Sequence, residues 1–196
     1  MRIFIALDID DTIRNRIARF TEGVSGFAPE TRWVKPESLH VTLKFIGEQT
    51  EPVVKAIQQA MSGLPAEAAQ IHFRGYGFFP TAKSARVFWI GMEADPQLAT
   101  LAAAVDDKLS TLGIPKEDRP FSPHLTLARA AGGSGSPRRQ KADRSSNLTF
   151  QRLQEKLGAL PAPEFGTMTT REFYLYQSQL SPKGSKYTKL ARFDLK

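Results

Sequence analysis

His40-Val41-Thr42-Leu43 and His124-Leu125-Thr126-Leu127 spell the same pattern, histidine, apolar, threonine, leucine, in a chain of 196 residues that has only three histidines. Val, Leu and Thr favour the pleated chain, so both copies read as β-strand, where side chains alternate faces with period 2. Each histidine then shares a face with the threonine two residues on, while Val41, Leu43, Leu125 and Leu127 turn the other way into apolar packing. Two such strands side by side would line one cleft with two imidazoles and two hydroxyls. An acid, a base and two neutral hydrogen-bond donors suit the splitting of a phosphate ester without a metal.

The repetition extends beyond four residues. His40 and His124 are 84 positions apart, and the same offset carries Arg2-Ile3-Phe4 onto Arg86-Val87-Phe88 and Pro36 onto Pro120 without a gap. An internal duplication within a single unit spanning 1–196 is the economical reading. In each half an apolar strand (Arg2 to Leu7, Arg86 to Met92) precedes an amphipathic helix and a proline-containing approach to the histidine strand. The helical stripes are Ile13, Ile17, Phe20 and Val24, then Leu98, Leu101, Val105, Leu109 and Leu112, at spacings of three, four or seven. Two similar lobes, one histidine each, would face one another across a pseudo-two-fold axis.

The halves then continue differently. After the first histidine strand the pattern predicts a helix opened by Thr50 and Pro52 and stopped at Gly63 and Pro65, then a strand at about 71–79. After the second, Arg129 leads into Gly132-Gly133-Ser134-Gly135-Ser136-Pro137 and a basic run of Arg138, Arg139, Lys141 and Arg144. A helix near 147–157 and closing strands at 172–178 and 187–195 are predicted, with a basic turn or loop, 181–186, between those strands.

Composition narrows the class of partner. The 27 Lys and Arg against 20 Asp and Glu leave a net charge of +7, which favours a polyanion such as RNA. Chains of this length bury roughly 70% of their unfolded surface, enough for a substantial core. With no cysteine there is neither a disulfide framework nor a thiolate metal site, and a cytoplasmic location is expected. The apolar opening Met1 to Leu7 is ended by Asp8, Asp10 and Asp11, too short and too acidic in its flank for a signal peptide, and no membrane segment is expected.

The paired H-x-T-L motifs are joined by Arg2-Ile3-Phe4-Ile5-Ala6-Leu7, by Leu39 to Gly47, by Phe121-Ser122-Pro123 to Arg129, and by an ending from Tyr176-Gln177-Ser178 through Gly184 to Tyr187. With these flanks the chain resembles the two-histidine phosphoesterase superfamily over nearly its whole length, and within it is most similar to the RNA 2′,3′-cyclic phosphodiesterases, formerly called 2′-5′ RNA ligases. The resemblance implies an α+β fold, bilobal, with two pseudo-symmetric lobes, each an antiparallel sheet with helices, around a central cleft carrying the two HxTx motifs. It implies hydrolysis of an RNA 2′,3′-cyclic phosphate end, or of a nucleoside 2′,3′-cyclic phosphate, to a 2′-phosphomonoester. No cofactor is expected, and a monomer is.

His40 and His124 are thus the candidate catalytic residues, with His40 as acid and His124 as base for release of the 3′ oxygen. Thr42 and Thr126 are candidates for the phosphate. Possible substrate contacts are Arg129, Arg138 and Arg139, with Ser178 and Tyr187 added through the resemblance alone. Strict alternation puts Arg129 on the face opposite Thr126 unless the strand ends or bulges there. His72, without a repeated motif, reads as structural or surface. Phe45, Trp89 and Phe121 could stack on a base, though core packing is the commoner use of such residues.

Other classes stay open at this point. A non-catalytic RNA-binding module would explain the basic loops but not the matched histidines. A two-histidine RNA 3′-end exonuclease or a reversible 2′-5′ RNA ligation would use the same groups. Two histidines without a carboxylate partner fall short of the three protein ligands usual at a catalytic zinc, and no GxxxxGK[ST] loop is present for ATP.

Overall fold

The computed structural model describes residues 1–131 and 149–196. The Gly-Ser stretch 132–137 and Arg138, Arg139, Lys141 and Arg144 lie outside the described residues. Two antiparallel sheets form two lobes around one core. The first sheet comprises β1 (Arg2–Leu7), β3 (Val41–Glu48), β8 (Glu172–Ser181) and β9 (Gly184–Asp194), in the order β3-β1-β8-β9. The second contains β2 (Thr31–Trp33), β4 (Ala69–Phe79), β5 (Val87–Ala94), β6 (Leu125–Ala130) and β7 (Glu164–Thr170), in the order β2-β6-β5-β4-β7. The helices among the described residues are α1 (Asp11–Val24), α2 (Glu51–Ser62), α3 (Pro96–Ser110) and α4 (Gln151–Gly158).

The predicted stripes become the buried faces. Ile13, Ile17 and Val24 of α1, and Leu98, Leu101, Val105 and Leu109 of α3, enter the core, while Leu112 lies past the end of α3 and is exposed. Proline in the first turn of α2 and α3 supplies a preset φ where no intrahelical N–H bond is available. The basic turn or loop expected at 181–186 is the turn of a tight hairpin, β8 and β9 staying paired up to Ser181 and Gly184. Pro182 and Lys183 make the turn, and Gly184 at φ 112 takes the backbone region open to glycine. β2 and β7 are strands that local pattern does not predict.

β1 is buried on both faces, hence its unbroken apolar run. Ile3, Ile5 and Leu7 enter the main core, whereas Phe4 and Ala6 join Tyr174 and Tyr176 in a smaller cluster against which Tyr187 packs. The sheets are exchanged between the halves of the chain. β1 is flanked by β3 and β8, and β5 is flanked by β6 and β4, so each half sends its later strand into the other half's sheet.

Each histidine strand carries an extra residue at the same place. In the pairing of β3 with β1, Ala6 faces Thr42 and Ile5 faces Lys44, leaving Leu43 unpaired. In the pairing of β6 with β5, Trp89 faces Thr126 and Phe88 faces Ala128, leaving Leu127 unpaired. These bulges interrupt alternation. Leu43 and Lys44, like Leu127 and Ala128, are consecutive buried residues, so the next residue on, Phe45 or Arg129, returns to the threonine's face. Lys44, 4% exposed, is neutralised there: its Nζ donates to Asp106 Oδ1 and to the Pro115 carbonyl, each at 2.7 Å, and lies 3.2 Å from Glu117. A buried ammonium without such partners would cost several kcal/mol.

Gly77 faces Trp89 across the β4–β5 pair, and a Cβ at this glycine would lie 2.1 Å from the indole. Gly77→Ala must therefore push the ring aside, and overpacking of this kind costs about 1–3 kcal/mol. A urea unfolding curve followed by tryptophan fluorescence is expected to show that loss, together with an altered native emission; an unchanged midpoint would contradict the close approach.

Candidate active site

Both histidines stand one residue ahead of their strands rather than within them. The cause is a local turn. His40 Nδ1 lies 2.8 Å from the Ser38 carbonyl oxygen, and His124 Nδ1 lies 2.9 Å from that of Ser122, the same two-residue step back in each half. A carbonyl only accepts, so Nδ1 carries the proton and donates it, leaving Nε2 of each neutral ring as the acceptor nitrogen. The short helical turn at Pro36–Ser38 that presents the first carbonyl is tied to α1, where Arg14 Nη1 donates to the Pro36 carbonyl at 2.6 Å.

His40, Thr42, His124 and Thr126 line one cleft of about 550 Å³, spacious enough for a small ligand. The HxTx faces meet as alternation requires. Arg129 lines the same cleft because of the bulge at Leu127, so the expectation from strict alternation is corrected. Ser178 and Tyr187 are there too, as direct partners across β8 and β9. Phe45 opens onto it, half exposed, with the Arg2 guanidinium 5.1 Å above its ring. Arg32 of β2 is a lining residue that sequence reasoning missed. Among the described residues no Asp or Glu lines this cleft. A larger hollow of about 690 Å³ elsewhere has Asp10, Glu172 and Asp194 in its wall and neither histidine, a poor host for an anion.

The two rings have different surroundings. His40 rests on an aromatic bed, with Phe4 at 4.9 Å and Tyr187 edge-on at 5.1 Å between centroids. His124 is exposed and is approached by Trp89 at 6.2 Å. Burial holds the His40 imidazolium below its usual range; the Ser38 carbonyl and Asp8 oppose this, and Arg129 adds to it. Asp8 accepts from Arg14 Nη2 at 2.5 Å and from Lys189 Nζ at 2.6 Å. Burial would raise its pKa, but these bonds and the Arg14 charge hold the carboxyl below the ordinary value. Burial and the charge of Asp8 push the Tyr176 phenol up, so it stays protonated.

His72 lies away from the cleft, its Nδ1 2.7 Å from Thr167 Oγ1 and its Nε2 3.1 Å from Glu164, as its surface reading expects. Trp89 packs against Gly77, and Phe121 is half buried against the core. Among the described residues no group of three or more His, Cys, Asp or Glu is arranged to hold a metal ion, and no helix is long and apolar enough to cross a membrane.

Comparison with known proteins bears on this geometry. The family model for LigT-like phosphoesterases matches residues 7–89 and again 90–187. An RNA 2′,3′-cyclic phosphodiesterase of Archaeoglobus fulgidus is 34% identical over 194 residues, covering 99% of this chain and 100% of the relative. One of the same name from Methanothermobacter thermautotrophicus is 30% identical, covering 100% and 99%. The crystal structure of Escherichia coli LigT complexed with 3′-AMP superposes with a TM-score of 0.75 at 28% identity, covering 99% of this chain and 97% of that one.

The charges around His40 set a signed expectation. Arg129 disfavours a second positive charge nearby, so Arg129→Gln should raise the His40 pKa, while Asp8→Asn should lower it further. NMR titration of the His40 ring in the free protein checks both signs. A shift in the opposite direction in either variant would show that the groups do not act through their charge.

Proposed function

The chain belongs to the LigT-like phosphoesterase family, and from that membership we propose that it hydrolyses the 2′,3′-cyclic phosphate ends of RNA to 2′-phosphomonoesters, by acid–base catalysis between His40 and His124. The observation that carries the proposal is the pair of histidines whose Nδ1 atoms are both tied to backbone carbonyls, in a cleft that also holds two threonine hydroxyls and, among the described residues, no carboxylate. The named relatives support the substrate class. The cysteine-free chain supports a cytoplasmic location. Duplication within one bilobal unit is supported by the two matches to the family model and by the like flanking of β1 and β5.

The chemistry follows from the free Nε2 atoms. His124 Nε2 accepts a proton from water as the water oxygen bonds to phosphorus. The P–O3′ bond breaks, and the His40 imidazolium delivers its Nε2 proton to the departing O3′, leaving a 3′-hydroxyl and a 2′-phosphate. Thr42 and Thr126 donate to the non-bridging oxygens, where negative charge builds. The Arg129 guanidinium adds a fixed positive charge, and Tyr187 keeps the His40 ring from rotating by packing edge-on against it. Burial disfavours the His40 imidazolium in the free protein. The anionic substrate offsets that penalty and brings His40 its acid form.

Incubation with each nucleoside 2′,3′-cyclic phosphate in chelator should yield the 2′-monophosphate; predominant 3′-phosphate, or activity abolished by chelator, would overturn the assignment. His40→Ala and His124→Ala should each reduce turnover by roughly 10²- to 10⁴-fold, and the double variant should lose far less than the product of the two. In the pH profile of kcat/KM, loss of His40 should abolish the alkaline limb, where an acid loses its proton, and loss of His124 the acidic limb. Exchange of those limbs would reverse the roles. Full binding of RNA with no turnover change in the double variant would identify a binding module instead.

A further inference from the structure

Arg32 and Arg129 are direct partners across the β2–β6 pair. Their side chains therefore leave the sheet on one face, with Cβ atoms roughly 5 Å apart, and like charges so placed destabilise a sheet. Neither is paired with an acid among the described residues, whose arginine ion pairs are those of Arg14, Arg74 and Arg192. The third arginine of the cleft, Arg2, is engaged over the Phe45 ring. β2 has three residues and lies at the sheet edge, so Arg32 stands one strand farther out than Arg129, about 4.8 Å. Two guanidinium forks held side by side match the oxygens of a phosphate.

The reacting phosphate belongs between the two HxTx motifs, so an anion that satisfies Arg32 is a second one, displaced toward the β2 edge. In a strand ending in a 2′,3′-cyclic phosphate, the nearest other anion is the phosphate ester on the 5′ oxygen of the same terminal nucleoside. We propose that Arg32, together with Arg129, forms a second anion subsite that takes this 5′-phosphate ester and makes the protein select strand ends over free nucleoside cyclic phosphates. The subsite rests on the hydrolase reading above. It extends the cleft from a phosphate-opening centre to a reader of the terminal nucleotide from both of its phosphates. A guanidinium on an edge strand can do this at little structural cost, since its loss leaves the core untouched.

The test compares kcat/KM for adenosine 2′,3′-cyclic phosphate with that for the same compound carrying a 5′-phosphate, on the parent protein, Arg32→Ala and Arg32→Lys. The parent is expected to prefer the 5′-phosphorylated substrate by roughly tenfold, the effect of one charged hydrogen-bonded contact. Arg32→Ala should lose most of that preference. Arg32→Lys should keep part of it, having the charge without the fork, and the preference of the parent should weaken as salt rises. Absence of a preference in the parent would overturn the subsite, as would equal losses on both substrates in Arg32→Ala, which would put Arg32 on the reacting phosphate or in the fold. Turnover of neither substrate by the parent would overturn the hydrolase reading itself.

Discussion

The unpaired leucine that follows each threonine, Leu43 in β3 and Leu127 in β6, decides what the cleft contains. Without it the chain would alternate, and the third residue after each threonine would turn toward the core. With it, two consecutive side chains go inward and the next one returns outward. On one side this sends Lys44 inward to Asp106 and brings Phe45 to the cleft; on the other it buries Ala128 and frees Arg129. One device, used at the same position of each half, yields an aromatic wall opposite a cationic one. The two walls then differ because the residues differ, while the backbone is alike.

That difference reaches the histidines. Both rings are oriented by a carbonyl two residues upstream, so neither depends on a distant carboxylate to select its tautomer. Their solvation is unequal. His40 lies among Phe4, Tyr176 and Tyr187, with Asp8, Arg14 and Lys189 balancing charge behind it. His124 faces solvent. The asymmetry arises from what each sheet stacks beneath its ring.

The HxTx pairs, their offset and the helical stripes are legible in the sequence because each is a local pattern read off one strand or one helix. Arg129 marks where local reading stops. Its face depends on an extra residue in the pairing of β6 with β5, and Leu125 to Ala130 carries little to reveal that. The one available signal is the apolar pair Leu127-Ala128, which breaks alternation in the sequence itself. Arg32 is harder still, for β2 is three residues long and acquires its partner some hundred positions away. The histidines are legible in identity and less so in conformation, since their rings bond back to the Ser38 and Ser122 carbonyls, ahead of the strand pattern. β7 escapes notice because Gly166 and the threonines around it lack a strong apolar rhythm, and β4 recruits it.

The exchange of strands between the halves has a consequence for how the protein is made. β1 is made well before its partner β8 at Glu172–Ser181, so the first sheet stays open at β1 until that later segment exists. The bed under His40 needs Phe4 from one end and Tyr176 and Tyr187 from the other. A half-made chain therefore holds a complete HxTx motif with no platform to aim it, and contacts of such long sequence separation form late and slowly. The cleft that holds both histidines is thus a product of the two closed sheets together rather than of either HxTx strand alone.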